Sequence, residues 1–217
     1  MGIAYNTSIV SDGLVFALDA ANSRCYSGSG NTANVLVGGI NGTLTNGVGF
    51  SSVNSGSFSF DGTNDYVDFP SYTPDANTIN IWVNFKTLEN GTIVYVGNDT
   101  YVSGLWSWSF FIYEGVFYFR ANPGNFAYFN EIPPLETWIN YTLIRNNGSN
   151  ISIAYKNGVS IGSTTDSTTE NLYPNLRFAK AGSVYSNFNL SQVLIYNRAL
   201  SAQEVKQNYN ATKKRYL

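Results

Sequence analysis

The sequence predicts an all-β sandwich closed by one short C-terminal helix, on three observations. Short apolar runs alternate with polar residues at a period of two, which is how a strand with one buried face reads. Turn signals containing Gly, Asn and Asp separate those runs at short, even intervals. Charged residues make up only 12% of the chain, against 43% hydrophobic and 16% aromatic. Asn, Ser, Thr and Gly must therefore carry the surface, a composition that suits strands and tight turns and provides few ion pairs for surface helices.

Taken in order, Leu14 to Asp19 reads as the first strand, with Leu14, Phe16 and Leu18 on one face, and Ala20 to Asn34 reads as a loop. Phe58 and Phe60 alternate before Asp61-Gly62, and Tyr66 to Phe69 resumes the pattern, giving a strand, turn and strand. Ile79 to Phe85 is the clearest element: Ile79, Ile81, Val83 and Phe85 share one face, and Asn80, Trp82 and Asn84 share the other. Further strands are expected at Thr92 to Val96, Trp106 to Tyr113, Val116 to Arg120, Trp138 to Arg145, Ile151 to Tyr155, Val159 to Ser163 and Leu190 to Tyr196. Asn157-Gly158 is the preferred pair for a type I′ hairpin turn, because both positions take positive φ. Ser201-Ala-Gln-Glu204 is a capping box that should open a helix over about 201–210, with Leu200 and Val205 as its hydrophobic staple. Val205 and Tyr209, four apart, would hold that helix to the sheet.

At 217 residues the chain fits a single large all-β domain. Residues 12–217 are assigned to it, and 1–11 are read as an N-terminal arm. Cys25 is the only cysteine, so no intrachain disulfide forms and packing must supply the stability. The start carries no basic, apolar leader pattern, and no run of apolar residues is long enough to span a membrane. The net charge is −2, and the one basic cluster is Lys213, Lys214 and Arg215. Nucleic acid is thereby excluded as a partner, since phosphate binding needs a wide basic face, and the three cations read as a solvated end.

Three motifs carry a family resemblance: GLVFALDAANSRCYSGSG from Gly13, SFSFDGTNDYVDF from Ser57 and LSQVLIYNRALSAQEVKQNY from Leu190. In this order they resemble the laminin-G-like, concanavalin A-like jelly-roll domains of bacterial surface proteins and of tailed-bacteriophage structural proteins. The resemblance implies a two-sheet antiparallel jelly roll with rim loops that, in many relatives, hold calcium or a glycan. It also implies a place on the surface of a virion, on head or tail, with other virion proteins and host surface glycans as partners. Homo-oligomers are the natural form of parts in a symmetric particle. Relatives often have an acidic residue just before the final strand, where this chain has Asn189-Leu-Ser191-Gln192.

The chemistry readable from the residues points to binding. No histidine is present, which excludes Ser-His-Asp and Cys-His catalysis and His-ligated zinc. Glycoside hydrolysis needs two carboxyl groups flanking one bond. The only acidic cluster is Asp61, Asp65 and Asp68, and Asp65 and Asp68 lie three apart, on opposite faces of a strand. No catalytic residue is assigned. Asp61, Asn64 and Asp65, joined by Asp19, form the candidate calcium site, because calcium takes six to eight hard oxygens. The competing expectation is a turn in which Asp61 and Asn64 bond their own backbone. Trp82, Asn80, Asn84, Trp106, Trp108 and Tyr128 are the candidate glycan-binding set, within a wider aromatic group that includes Tyr113, Tyr118, Phe126 and Phe129. Sugar rings stack their C–H faces on aromatics while amides bond their hydroxyls. Trp82 leads because it lies between two asparagines, opposite the apolar face of its strand. The alternative is that Trp82 is core on a second buried face. Tyr101 to Trp108 and Asn122 to Asn130 are read as rim loops. Rivals to the lectin-like function are a protein-interaction module without sugar specificity and a polysaccharide-degrading enzyme.

Overall fold

The computed structural model describes residues 8–70, 72, 76–96, 108–121, 126–146, 151–165 and 175–217. Its strands are β1 (Leu14–Asp19), β2 (Thr32–Asn34), β3 (Asn41–Thr45), β4 (Gly49–Ser51), β5 (Ser57–Asp61), β6 (Tyr66–Pro70), β7 (Thr78–Phe85), β8 (Gly91–Val96) and β9 (Trp108–Tyr113). They continue as β10 (Val116–Ala121), β11 (Phe126–Glu131), β12 (Trp138–Asn146), β13 (Ile151–Lys156), β14 (Val159–Thr165), β15 (Asn175–Phe178), β16 (Lys180–Ala181), β17 (Val184–Tyr185) and β18 (Asn187–Tyr196), before helix α1 (Ala202–Thr212).

Two antiparallel sheets face each other. The first runs β14-β13-β12-β7-β18-β5-β4, and β1 takes the edge of β18 beyond the end of β5. The second runs β11-β10-β9-β8-β15-β6-β3-β2. The short hairpin of β16 and β17 forms a small ladder of its own, packed against β8. The core lies between the sheets, with Ile79, Ile81, Val83 and Phe85 meeting residues such as Val67, Phe69, Phe110, Ile112, Phe117 and Phe178. Phe16, Phe69 and Phe178 pack at centroid separations of 5.3 to 6.4 Å, mostly edge to face, the arrangement that ring quadrupoles favour.

Register explains several details. A bulge at Ser191 interrupts β18 between Leu190 and Gln192, so Phe188 and Leu190 before it and Val193 and Ile195 after it all enter the core. Asn157 and Gly158 have φ of 51° and 76° and join β13 to β14 as the turn chemistry requires. The Ser201 side chain accepts from the Glu204 amide, the Glu204 carboxylate accepts from the Ser201 amide, and Leu200 and Val205 are buried in one cluster.

Several expectations need correction. The Ala20 to Asn34 loop ends in a strand, β2, and β18 starts at Asn187, so Asn189 to Gln192 lie inside the final strand. Phe126 to Asn130, expected in a rim loop, belong to β11; 122–125 lie outside the described residues. The strand expected from Trp106 is described from Trp108, and Trp106 with the rest of 97–107 lies outside the described residues. Where the arm is described it is packed: Val10 is buried, its amide donates to Asn208 Oδ1 at 2.8 Å and its carbonyl accepts from the Tyr196 hydroxyl at 3.0 Å. The basic end is not wholly solvated either, because Arg215 Nη1 lies 2.8 Å from the Asp19 carboxylate.

Candidate functional site

The face of β7 expected to present Trp82 to a ligand is covered. Trp82 is 0% exposed, and Asn80 and Asn84 are 1% and 5% exposed. The Trp82 indole stacks on Tyr216 at 4.1 Å and on Tyr209 at 5.9 Å between centroids, and its Nε1–H donates to Thr212 Oγ1 at 2.8 Å. Val205, Tyr209, Thr212 and Tyr216 recur at helical spacing, so α1 and the turn after it lay one stripe across this sheet. Asn80 and Asn140 exchange amide hydrogen bonds at 3.1 and 3.2 Å, and Asn80 Nδ2 also donates to Thr142 Oγ1. These amides bond one another beneath the helix, leaving no surface on which a sugar could stack. The alternative expectation, Trp82 as core on a second buried face, describes the geometry.

The acidic turn follows the backbone-bonding alternative at Asp61, while the second such bond comes from Asp65 and not from the Asn64 side chain. Asp61 Oδ1 accepts from the Thr63 amide at 2.7 Å, Asp65 Oδ2 accepts from the Asp61 amide at 3.3 Å, and Gly62 has a φ of 80°. The Asn64 carbonyl accepts from Asn46 Nδ2 at 3.1 Å. Asp65 is 4% exposed, with Oδ1 unpartnered among the described residues. Burial pushes its carboxyl above the usual range, and the Asp61 charge adds to that. Asp19 does not join this turn. It lies opposite Gln192 on β18 while Asp61 lies opposite Asn187, a separation of roughly 15 Å along the strand. Asp19 instead accepts from Arg215 and Gln192. Two carboxylates with two of their oxygens already bonded, and one carbonyl already taken, fall short of a calcium shell. Among the described residues, no three of His, Cys, Asp and Glu come together.

The outer face of the second sheet is different. Along β9, Phe110 and Ile112 enter the core, so alternation turns Phe111 and Tyr113 outward. Phe111 stacks on Tyr118 of β10 at 5.4 Å with the planes 18° apart, and Tyr113 meets the same ring edge-on at 6.3 Å. Tyr113 is 49% exposed. Beside this cluster lies a cleft of about 300 Å³ lined by Asn90, Gly91, Thr92, Phe111, Ile112, Tyr113, Ala181 and Val184. Its wall is the β16–β17 hairpin, which can press against β8 only because residue 91 is glycine: a Cβ there would stand 2.1 Å from Ser186 Oγ and 2.8 Å from the Tyr185 carbonyl. Asn90 Oδ1 accepts from the Glu114 amide at 2.7 Å, fixing the β9–β10 turn at the cleft's edge.

Of the expected aromatic set, Tyr113 and Tyr118 stand in this surface, and Tyr128 occupies the register position opposite Tyr118. Trp108 is the first residue of β9, at the register position opposite Ala121. Phe111, Asn90, Thr92, Ala181 and Val184 were not anticipated. The alternation through Ser109 to Tyr113 carried the signal for Phe111, but nothing local marks the hairpin residues, which reach the cleft from some 90 positions away in sequence.

No curated protein matches the sequence. Among solved structures, Trypanosoma rangeli sialidase in complex with sialic acid superposes with a TM-score of 0.67 at 14% identity, over 96% of this chain and 34% of that one. The botulinum neurotoxin serotype D binding domain gives a TM-score of 0.68 at 14% identity, covering 91% of this chain and 51% of its own. Domain 4 of AbnA, a GH43 extracellular arabinanase from Geobacillus stearothermophilus, in complex with arabinotriose, gives 0.69 at 13% identity, covering 90% of this chain and 98% of that domain. The chain thus spans about a third of the sialidase and about half of the neurotoxin domain, and at these identities the likeness is one of fold. A family model described as the concanavalin A-like lectin/glucanases superfamily matches residues 61–206. With its two facing antiparallel sheets and its match over more than half its length, the chain belongs to that superfamily.

Proposed function

We propose that the protein is a non-catalytic, lectin-like recognition domain that binds saccharide on the outer face of its second sheet. The observation that carries this reading is the outward-facing cluster of exposed Tyr113 with half-buried Phe111 and Tyr118 beside the cleft. Aromatic faces for ring stacking next to a few polar groups, here Asn90 and Thr92, make a suitable saccharide surface. The arabinanase domain of the same fold, solved with arabinotriose, is in keeping with this.

The non-catalytic part rests on how the carboxylates are used. Asp68 pairs with Arg177, Glu131 with Lys156 and the Tyr141 hydroxyl, Glu136 with Lys86, and Glu204 with Arg198. Each of these four carboxylates is engaged by a neighbouring cation, a structural use in keeping with a domain that binds without cleaving. The virion setting rests on the motif resemblance alone, and there the domain would present its second sheet outward and engage neighbouring particle proteins elsewhere. A protein-interaction role has its own support in the apolar tip at Ile132 and Leu135, 70% and 47% exposed around Pro133-Pro134.

A glycan array with the wild type, Tyr113→Ala and Tyr118→Ala tests the reading. The wild type should bind a subset of saccharides, and each substitution should weaken binding by about thirtyfold, the scale of a truncated aromatic anchor. A silent array, or variants that bind as the wild type does, would refute it. Release of reducing ends from a bound saccharide would refute the non-catalytic part.

A further inference from the structure

Resting on that reading, we infer that the cleft selects uncharged saccharides over acidic ones, and that Glu89 and Glu114 are the specificity residues. Both are exposed, and they flank the cleft in sequence: Glu89 precedes Asn90, and Glu114 follows Tyr113. The placement of Glu114 is the notable part. Tyr113 pairs with Val116, so Glu114-Gly115 is a two-residue hairpin turn, and Glu114 has a φ of 51°. Both positions of such a turn require positive φ, where Asn, Asp or Gly is the usual occupant and a longer side chain is strained. The 2.7 Å bond from the Glu114 amide to Asn90 Oδ1 holds that conformation and fixes the turn beside the cleft. A disfavoured residue held in place at a binding surface is a mark of function.

Two cations of this face, among the described side chains, are engaged with other groups. Arg177 pairs with Asp68 across β15 and β6. Lys180 lies over the Tyr66 ring at 4.4 Å and near that of Tyr185 at 6.0 Å. Lys180 pairs with Tyr185 on one side of the β16–β17 hairpin, while Ala181 and Val184, the next pair, line the cleft. Glu89 and Glu114 thus put two carboxylates next to lining residues, and the lining itself carries no charge. A carboxylate facing a ligand anion across about 6 Å of water weakens binding about threefold, so two weaken it about tenfold at low salt.

The test is an array of neutral oligosaccharides, each printed beside its counterpart oxidised to a carboxylate at C6, with lactose beside 3′-sialyllactose. It is read at low and moderate salt with the wild type, Glu114→Asn and Glu89→Gln/Glu114→Asn, each first checked for cooperative melting. In the wild type the neutral member should be favoured about tenfold at low salt, and the preference should shrink as salt rises. It should fall to about threefold in Glu114→Asn and close to one in the double variant. Equal or stronger binding of the acidic members by wild type, or a preference untouched by the double variant, overturns this inference while leaving saccharide binding standing. No binding to either member overturns both.

Discussion

Trp82→Ala removes the largest fully buried side chain among the described residues, and its cost follows from what surrounds the indole. Truncating a buried aromatic to alanine costs about 3 to 5 kcal/mol through lost contacts and the cavity left behind. Loss of the stacks on Tyr216 and Tyr209 places this site within that range. The lost hydrogen bond adds little, because Thr212 Oγ1 still donates to the Asn208 carbonyl at 2.9 Å and is not left unpaired. A single domain has about 5 to 15 kcal/mol in hand, so the variant should remain folded when cold. Its melting midpoint should fall by about 6 to 20 °C, at the roughly 2 to 4 °C per kcal/mol expected of this size. Amide exchange should speed first in 205–216, the segment that rests on the indole. Because Trp82 and the cleft lie on different sheets, saccharide affinity below the melting transition should match wild type. A midpoint lowered by less than about 3 °C would refute the reasoning, as would a folded variant that had lost saccharide binding.

Four other outcomes are expected. The Glu204 carboxyl is held at about 2, chiefly by hydrogen bonds from Arg198 and then by the Ser201 amide and hydroxyl. Its stabilising contribution is therefore present above the ordinary carboxylate range and is lost as pH falls toward 2; amide exchange in Gln203 to Tyr209 should rise over that window and stay flat in Glu204→Gln. Ser201→Ala should cost about 0.5 to 2 kcal/mol, read by chemical denaturation, with the sheets intact. Asp65 has the opposite sign: its raised carboxyl contributes stability below the ordinary range that is lost as pH climbs through the shifted value, so Asp65→Asn should melt no lower than wild type at neutral pH. Melting in excess calcium and in chelator should agree within about 2 °C, and a larger rise with calcium would show that the Asp61–Asp65 turn binds it after all.

The strands that were legible in the sequence are those whose own residues decide their state. Thr78–Phe85 alternates without exception because every other residue enters the core, and the capping box at Ser201 needs only four consecutive residues. Among the strands that were not legible, Thr32–Asn34, Asn41–Thr45 and Asn175–Phe178 bury one or two residues each and are ordered by their neighbours in the second sheet. The same limit applies to the site. Alternation showed that Trp82 faces away from the core, but what lies over that face is decided by residues 120 to 134 positions later. The spacing of Val205, Tyr209, Thr212 and Tyr216 was the available clue. The cleft was harder to foresee, since it is assembled from β8, β9 and a hairpin that meet only in the folded state.

The position of β18 has a consequence for how the chain is made. This strand pairs with β7 on one side and with β5 and β1 on the other, so until residues 187–196 emerge from a ribosome, nothing joins β1 and β5 to β7. At about 5 to 20 residues per second the nascent chain waits roughly 10 to 40 seconds with its apolar strands synthesised and the centre of its first sheet missing. Pairings this distant in sequence also close slowly once they are possible. Synthesis paused just before Asn187 should therefore yield a protease-sensitive chain that binds chaperones, and release of ten or so further residues should be the step at which the first sheet gains its middle strand.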